Sequence, residues 1–104
     1  MSELFGLAPS DVELLRSVFE RFPEVTQVLV YGSRVKGNFR ASSDIDLTIL
    51  GNIDWTLFNL IETELDDLLL PYQIDLSIFS HIENDALIDH IQRIGKPIYP
   101  ATSP

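Results

Sequence analysis

The sequence predicts a single small α/β (α+β) domain, a mixed β-sheet with helices packed on one face. Three observations predict it. Apolar residues recur at helical spacing in three segments, two strand-like segments share the alternating patterns Ile-Asp-Leu-Thr-Ile and Ile-Asp-Leu-Ser-Ile, and helices and strands interleave along the chain. At 104 residues there is room for one domain, 1–104, built round one core.

The first helix is expected over Ser10 to Phe22, where Val12, Leu15 and Phe19 line up with Leu14, Val18 and Phe22. Ser10 and Glu13 have capping-box spacing, and Pro23 closes the segment. Val25 to Tyr31 is β-branched and apolar and runs into a glycine, which reads as a buried strand ending at a turn. Gly32 to Ser43 loses all apolar period and reads as a loop with room for a helical turn.

Ile45 to Leu50 and Ile74 to Phe79 are the second and third strands. In each, the Ile-Leu-Ile set points to one face and the Asp to the other, because strand side chains alternate with a period of two. Between them Asp54 to Leu70 forms a helix with Leu57, Phe58, Ile61, Leu65, Leu68 and Leu69 on one stripe, Asp54 as N-cap and Pro71 as stop. A third helix is expected from the capping-box spacing of Ser80 and Glu83 through Leu87, Ile88, Ile91 and Ile94 to Gly95. Lys96 to Tyr99 reads as a short edge strand and 101–104 as a frayed tail.

Charge is the compositional outlier. Seven Lys plus Arg against sixteen Asp plus Glu gives a net −9 at pH 7. Polynucleotide phosphates would be repelled, since non-specific nucleic-acid affinity needs clustered Lys and Arg, and no direct nucleic-acid binding is expected. A basic protein partner or a metal-bound nucleotide suits the balance better. The absence of Cys removes disulfides, thiolate zinc sites and Cys nucleophiles. No signal peptide and no run of about 20 apolar residues is present, so the chain reads as cytoplasmic with no membrane association.

The chemistry lies in the acids of the two strands. Asp44 and Asp46 stand two apart at the head of the second strand, about 6.6 Å along the chain on one face. If Asp75 lies on a neighbouring strand beside Asp46, three carboxylates converge, which is unfavourable unless a cation neutralises them. Mg²⁺ suits such a set, since it takes one or two carboxylates per ion and completes its shell with waters and substrate phosphates. Upstream, Gly32-Ser33 opens a loop carrying Arg34 and Lys36. A glycine-serine turn lets backbone N–H groups and a hydroxyl approach a phosphate, and the two cations lie in the same loop. Two other phosphate motifs fail. Gly32 to Gly37 mimics a Walker A opening, but Asn38-Phe39 stands where Lys-Ser/Thr is required, and no G-x-G-x-x-G occurs.

The segment GSRVKGNFRASSDIDL resembles the signature of the polymerase-β-like nucleotidyltransferases: Gly-Ser, ten intervening residues, then an Asp-hydrophobic-Asp pair. Asp75 inside a later apolar strand matches that family's third carboxylate, so the resemblance spans roughly residues 25 to 80. With only a catalytic palm in 104 residues, the chain is similar to the minimal nucleotidyltransferases (MNT), antitoxins paired with HEPN-domain ribonuclease toxins that transfer AMP from ATP to a toxin tyrosine. The resemblance implies a nucleotidyltransferase palm using ATP and two Mg²⁺ ions. It implies that Asp44, Asp46 and Asp75 are both catalytic residues and metal ligands. Gly32, Ser33, Arg34, Lys36 and Ser43 would bind nucleotide, and a HEPN toxin would be the partner.

Two rival functions stay open at this stage. A non-catalytic antitoxin of the same fold would neutralise by covering its partner, and a variant lacking the triad would then still neutralise at equal stoichiometry. A small-molecule nucleotidyltransferase would modify its acceptor with no protein partner present. Blander readings apply elsewhere. His81 and His90, nine apart, fit no metal motif and read as surface or capping groups. Trp55 and Tyr72 read as aromatics at the core edge more than as an interface, and Glu62, Glu64, Asp66 and Asp67 as the wet face of a helix.

Overall fold

Nine elements follow one another in the computed structural model, which describes residues 5–37, 40 and 43–100. They are α1 (Pro9–Glu20), β1 (Val25–Tyr31), α2 (Ser33–Lys36), β2 (Ile45–Gly51), α3 (Trp55–Asp66), β3 (Ile74–Ile78), a 3₁₀ turn over Phe79–His81, α4 (Asp85–Ile94) and β4 (Lys96–Tyr99). The expected tail at 101–104 and loop residues 38, 39, 41 and 42 lie outside the described residues.

The strands form one mixed sheet in the order β3-β2-β1-β4. β1 runs antiparallel to both β2 and β4, whereas β2 and β3 are parallel because α3 carries the chain back across the sheet between them. Val28 and Val30 of β1, Ile45, Leu47 and Ile49 of β2, Leu76 and Ile78 of β3 and Ile98 of β4 form the sheet's share of one buried cluster. Leu15, Val18 and Phe19 of α1 and Phe58, Ile61 and Leu65 of α3 pack into it, together with Leu7, Val12, Val25 and Ile53. The fold class is therefore the small mixed sheet with its main helical layer on one face. α4 adds a contact of its own: His90 meets Tyr31, which follows Val30 in β1 and so points to the opposite side of the sheet.

Four helix boundaries differ from the sequence reading: α1 ends at Glu20, two residues before Phe22, and three others differ for local reasons. α1 starts at Pro9 with Ala8 as N-cap and no side-chain cap, so the Ser10–Glu13 capping box is not formed. Pro9 presets its own φ and has no N–H to leave orphaned, which favours it at the first helical position. α4 starts at Asp85 and not at Ser80, because the Asn84 side chain accepts from Leu87 N–H at 3.1 Å and takes the cap, while Phe79–His81 makes a separate tight turn. α3 stops at Asp66, four residues short of Leu70. Leu69 then adopts φ 54° and is 86% exposed instead of lying on the buried stripe. Leu70, before Pro71, is sterically kept out of the helical region.

The expected Asp54 cap is present, its carboxylate accepting from Leu57 N–H at 2.8 Å. Replacing it leaves that first-turn N–H without its partner, so Asp54→Ala should lower unfolding free energy by about 1 kcal/mol in urea titrations. The substitution should not touch the chemistry of the carboxylate face.

Candidate active site

Alternation along the strands assembles the site. The core takes Ile45, Leu47 and Ile49 from β2, which turns Asp46 and Thr48 to the opposite face, and β3 presents Asp75 and Ser77 in the same way. Parallel register then sets Asp46 beside Asp75 and Thr48 beside Ser77. On the other flank of β2, Tyr31 is the antiparallel partner of Asp46. Asp44, exposed just ahead of β2, adds a third negative group.

Electrostatics agree with that geometry. The Asp46 carboxyl is held above its ordinary pKa, first by burial, then by the negative charges of Asp75 and Asp44, with His90 pulling weakly the other way. The Tyr31 phenol is also raised. Burial is the main cause, a hydrogen bond with the Ser77 side chain opposes it, and the Asp46 and Asp75 charges add to it. A cation is the natural relief for such a face. Among the described residues, no three His, Asp or Glu side chains are drawn together tightly enough to form a ready-made metal site. The donor chemistry nevertheless fits Mg²⁺: exposed Asp44 and Asp75 flank a half-buried Asp46 whose ionised form is disfavoured by its neighbours.

Gly32 is the tightest point. It has φ 80°, a conformation that side-chain-bearing residues avoid, and a Cβ there would run into the Asp46 carboxylate. The short helix α2 follows at once, Val35 and Lys36 N–H donating to the Gly32 carbonyl at 3.2 and 3.1 Å. Ser33, half-buried, opens α2 directly beside this packed glycine, and Lys36 is exposed in its last turn.

Arg34 and Ser43 sit differently from the phosphate-facing expectation. Arg34 is 2% exposed and its guanidinium donates to the Ser43 carbonyl through Nη2 at 2.8 Å and to the Phe5 carbonyl through Nη1 at 3.0 Å. It also lies 5.0 Å from the centre of the Tyr72 ring. The Ser43 hydroxyl accepts from Arg40 N–H at 2.8 Å. Arg34 thus ties the loop's return leg to the segment before α1. Spacing and charge cannot reveal this, because the guanidinium's partners are backbone carbonyls far apart in the chain. Arg34→Met should cost about 2 kcal/mol in a denaturation measurement, since it takes the guanidinium from two partly buried carbonyls. Lys36→Ala should change stability by less than about 0.5 kcal/mol.

His90 is the residue that sequence reading missed. It is half-buried, its Nε2 accepts from Gly32 N–H at 3.3 Å, and its ring meets Tyr31 edge-on at 6.2 Å. A signal existed, since position 90 lies three after Leu87 and four before Ile94, on the inward stripe of the helix. His81 is exposed and packs on Trp55, itself 61% exposed, at the end of β3 opposite to Asp75.

The family model described as Polymerase beta, Nucleotidyltransferase matches residues 13–103. A chain of a toxin–antitoxin complex crystallised with AMP-PNP is 18% identical and superposes with a TM-score of 0.68, covering 86% of this chain and 73% of that one. A chain of the toxin–antitoxin complex MntA-HepT is 15% identical at TM-score 0.64, covering 90% and 74%. A third, from a tri-AMPylated Shewanella oneidensis HEPN toxin in complex with MNT antitoxin, is 16% identical at TM-score 0.63, covering 88% and 71%. At these identities the likeness is one of fold. No curated protein matches the sequence. Among the described residues no helix is long and apolar enough to cross a membrane.

Proposed function

The chain belongs to the polymerase beta nucleotidyltransferase family, and from that premise we propose that it is an MNT antitoxin that moves AMP from ATP onto a tyrosine of a HEPN ribonuclease toxin. The observation that carries the reading is the strand register that sets Asp46 beside Asp75, with Gly32 packed against the Asp46 carboxylate. It draws support from the fold shared with chains of toxin–antitoxin complexes, one of them with AMP-PNP and one with an AMPylated toxin. A net charge of −9 suits docking on a basic RNA-cutting protein.

In this reading Asp44, Asp46 and Asp75 hold Mg²⁺, which when bound neutralises the triphosphate and stabilises attacking and leaving oxygens. Gly32 and Ser33 hold the triphosphate through the turn's backbone and the Ser33 hydroxyl, with Lys36 as an exposed cation of the same loop. The tyrosine oxygen attacks the α-phosphorus, the bond to the bridging oxygen of the β-phosphate breaks, and pyrophosphate leaves. Asp75, exposed at the level of Asp46, takes the phenolic proton. Ser77 and Tyr31, hydrogen-bonded beneath the carboxylates, keep that floor polar.

The test is transfer of label from α-labelled ATP to a HEPN protein in the presence of Mg²⁺. Label on a toxin tyrosine is the expected result. A folded chain that leaves both a HEPN partner and itself unlabelled would overturn the enzymatic reading.

A further inference from the structure

We propose that His90 is a positioning residue for the Gly32–Ser33 turn, so that α4 sets the geometry with which this turn meets a nucleotide triphosphate. The inference rests on the reading of that turn as the nucleotide-holding element. Gly32 is held from two sides. Its α-carbon faces the Asp46 carboxylate with no room for a Cβ, and its N–H is taken by His90 Nε2 at 3.3 Å.

The contact spans 58 residues of sequence and joins the last helix to the end of β1. Tyr31, immediately before Gly32, presents its ring edge-on to the same imidazole at 6.2 Å, which fixes the plane of His90. The peptide between Tyr31 and Gly32 therefore has its orientation set by α4, and Ser33 follows one residue later at the start of α2. Without His90 nothing described on that side holds the φ 80° conformation, and the turn gains freedom that binding must then remove. Ile91, next along α4, is 1% exposed and anchors the helix independently of His90, so the substitution need not unseat α4.

The experiment compares wild type with His90→Ala and His90→Gln, the second keeping an amide oxygen able to accept an N–H. Two readouts are used: amide hydrogen exchange of Gly32 in the nucleotide-free protein, and calorimetric affinity for AMP-PNP with Mg²⁺. His90→Ala should speed Gly32 exchange about tenfold while the β1 core amides keep their protection, and weaken AMP-PNP about tenfold, or 1.4 kcal/mol. His90→Gln should recover both to within about threefold. A purely structural role would lower the melting temperature of both variants alike and leave the affinity of the folded fraction unchanged, which would overturn the proposal. Unaltered Gly32 exchange in His90→Ala would overturn it as well. Failure of the wild type to bind AMP-PNP would instead count against the nucleotidyltransferase reading, and Gly32 exchange would still decide whether His90 holds the turn.

Discussion

Asp46→Asn is expected to lower nucleotide transfer by on the order of 10³-fold while raising the melting temperature of the protein without nucleotide. The two effects have one cause. Asp46 lies half-buried beside Asp75, and burial together with the Asp75 and Asp44 charges disfavours its ionised form. An amide of the same shape removes that cost to the folded state. In the proposed mechanism it also removes a ligand for Mg²⁺, a loss worth several kcal/mol at about 1.4 kcal/mol per tenfold.

The pH dependence follows with its sign. A carboxyl whose folded pKa is raised binds more protons in the native state than in the unfolded one, so its contribution to stability falls as pH rises. That contribution is complete below the ordinary value of 3.8 and is lost as pH climbs through the raised one. Wild type minus Asp46→Asn stability, measured by urea unfolding across that window, should therefore decline with pH. Added Mg²⁺ should recover part of the wild-type loss and do little for the variant.

Gly32→Ala is the second large effect, and here activity and stability fall together. A Cβ at Gly32 would meet the Asp46 carboxylate, and φ 80° is strained for alanine regardless of space. Strain and displaced carboxylate together should cost about 3 kcal/mol, lowering the melting temperature by roughly 10 °C or more for a domain of this size. Transfer should vanish even at temperatures where the variant stays folded, because relieving the clash moves either the turn or Asp46. A Gly32→Ala protein with normal transfer would mean that the close approach of turn and carboxylate is not used.

Much of this was legible in the residues, unevenly. VTQVLVY marked β1 to its ends because the run is bounded by a polar stretch and a glycine, and the two I-D-L patterns announced which face carries acid. Asp54 was recognisable as a cap because it directly precedes the apolar stripe that begins at Leu57 and Phe58. Ser10 and Ser80 were not reliable in the same way, since Pro9 and Asn84 offered better starts nearby and local spacing does not rank rivals. The pairing of Asp46 with Asp75 was an expectation that depended on parallel neighbouring strands, and that required the α3 crossover to lay β3 against β2. Arg34 and His90 were the opaque ones. Each is placed by hydrogen bonds to backbone atoms at a distance in sequence, Arg34 to Ser43 and Phe5, His90 to Gly32. Side-chain type foretells the charge of such a group but not which carbonyl or amide will claim it.

The most direct test is calorimetric titration of AMP-PNP into the protein with Mg²⁺ and with the metal chelated, for wild type and Asp46→Asn. Saturable binding by wild type with Mg²⁺ alone, lost on chelation and lost in the variant, is the expected result. Equal binding with and without Mg²⁺, or an Asp46→Asn protein that binds as wild type does, would contradict the claim that these acids and the glycine-serine turn act together.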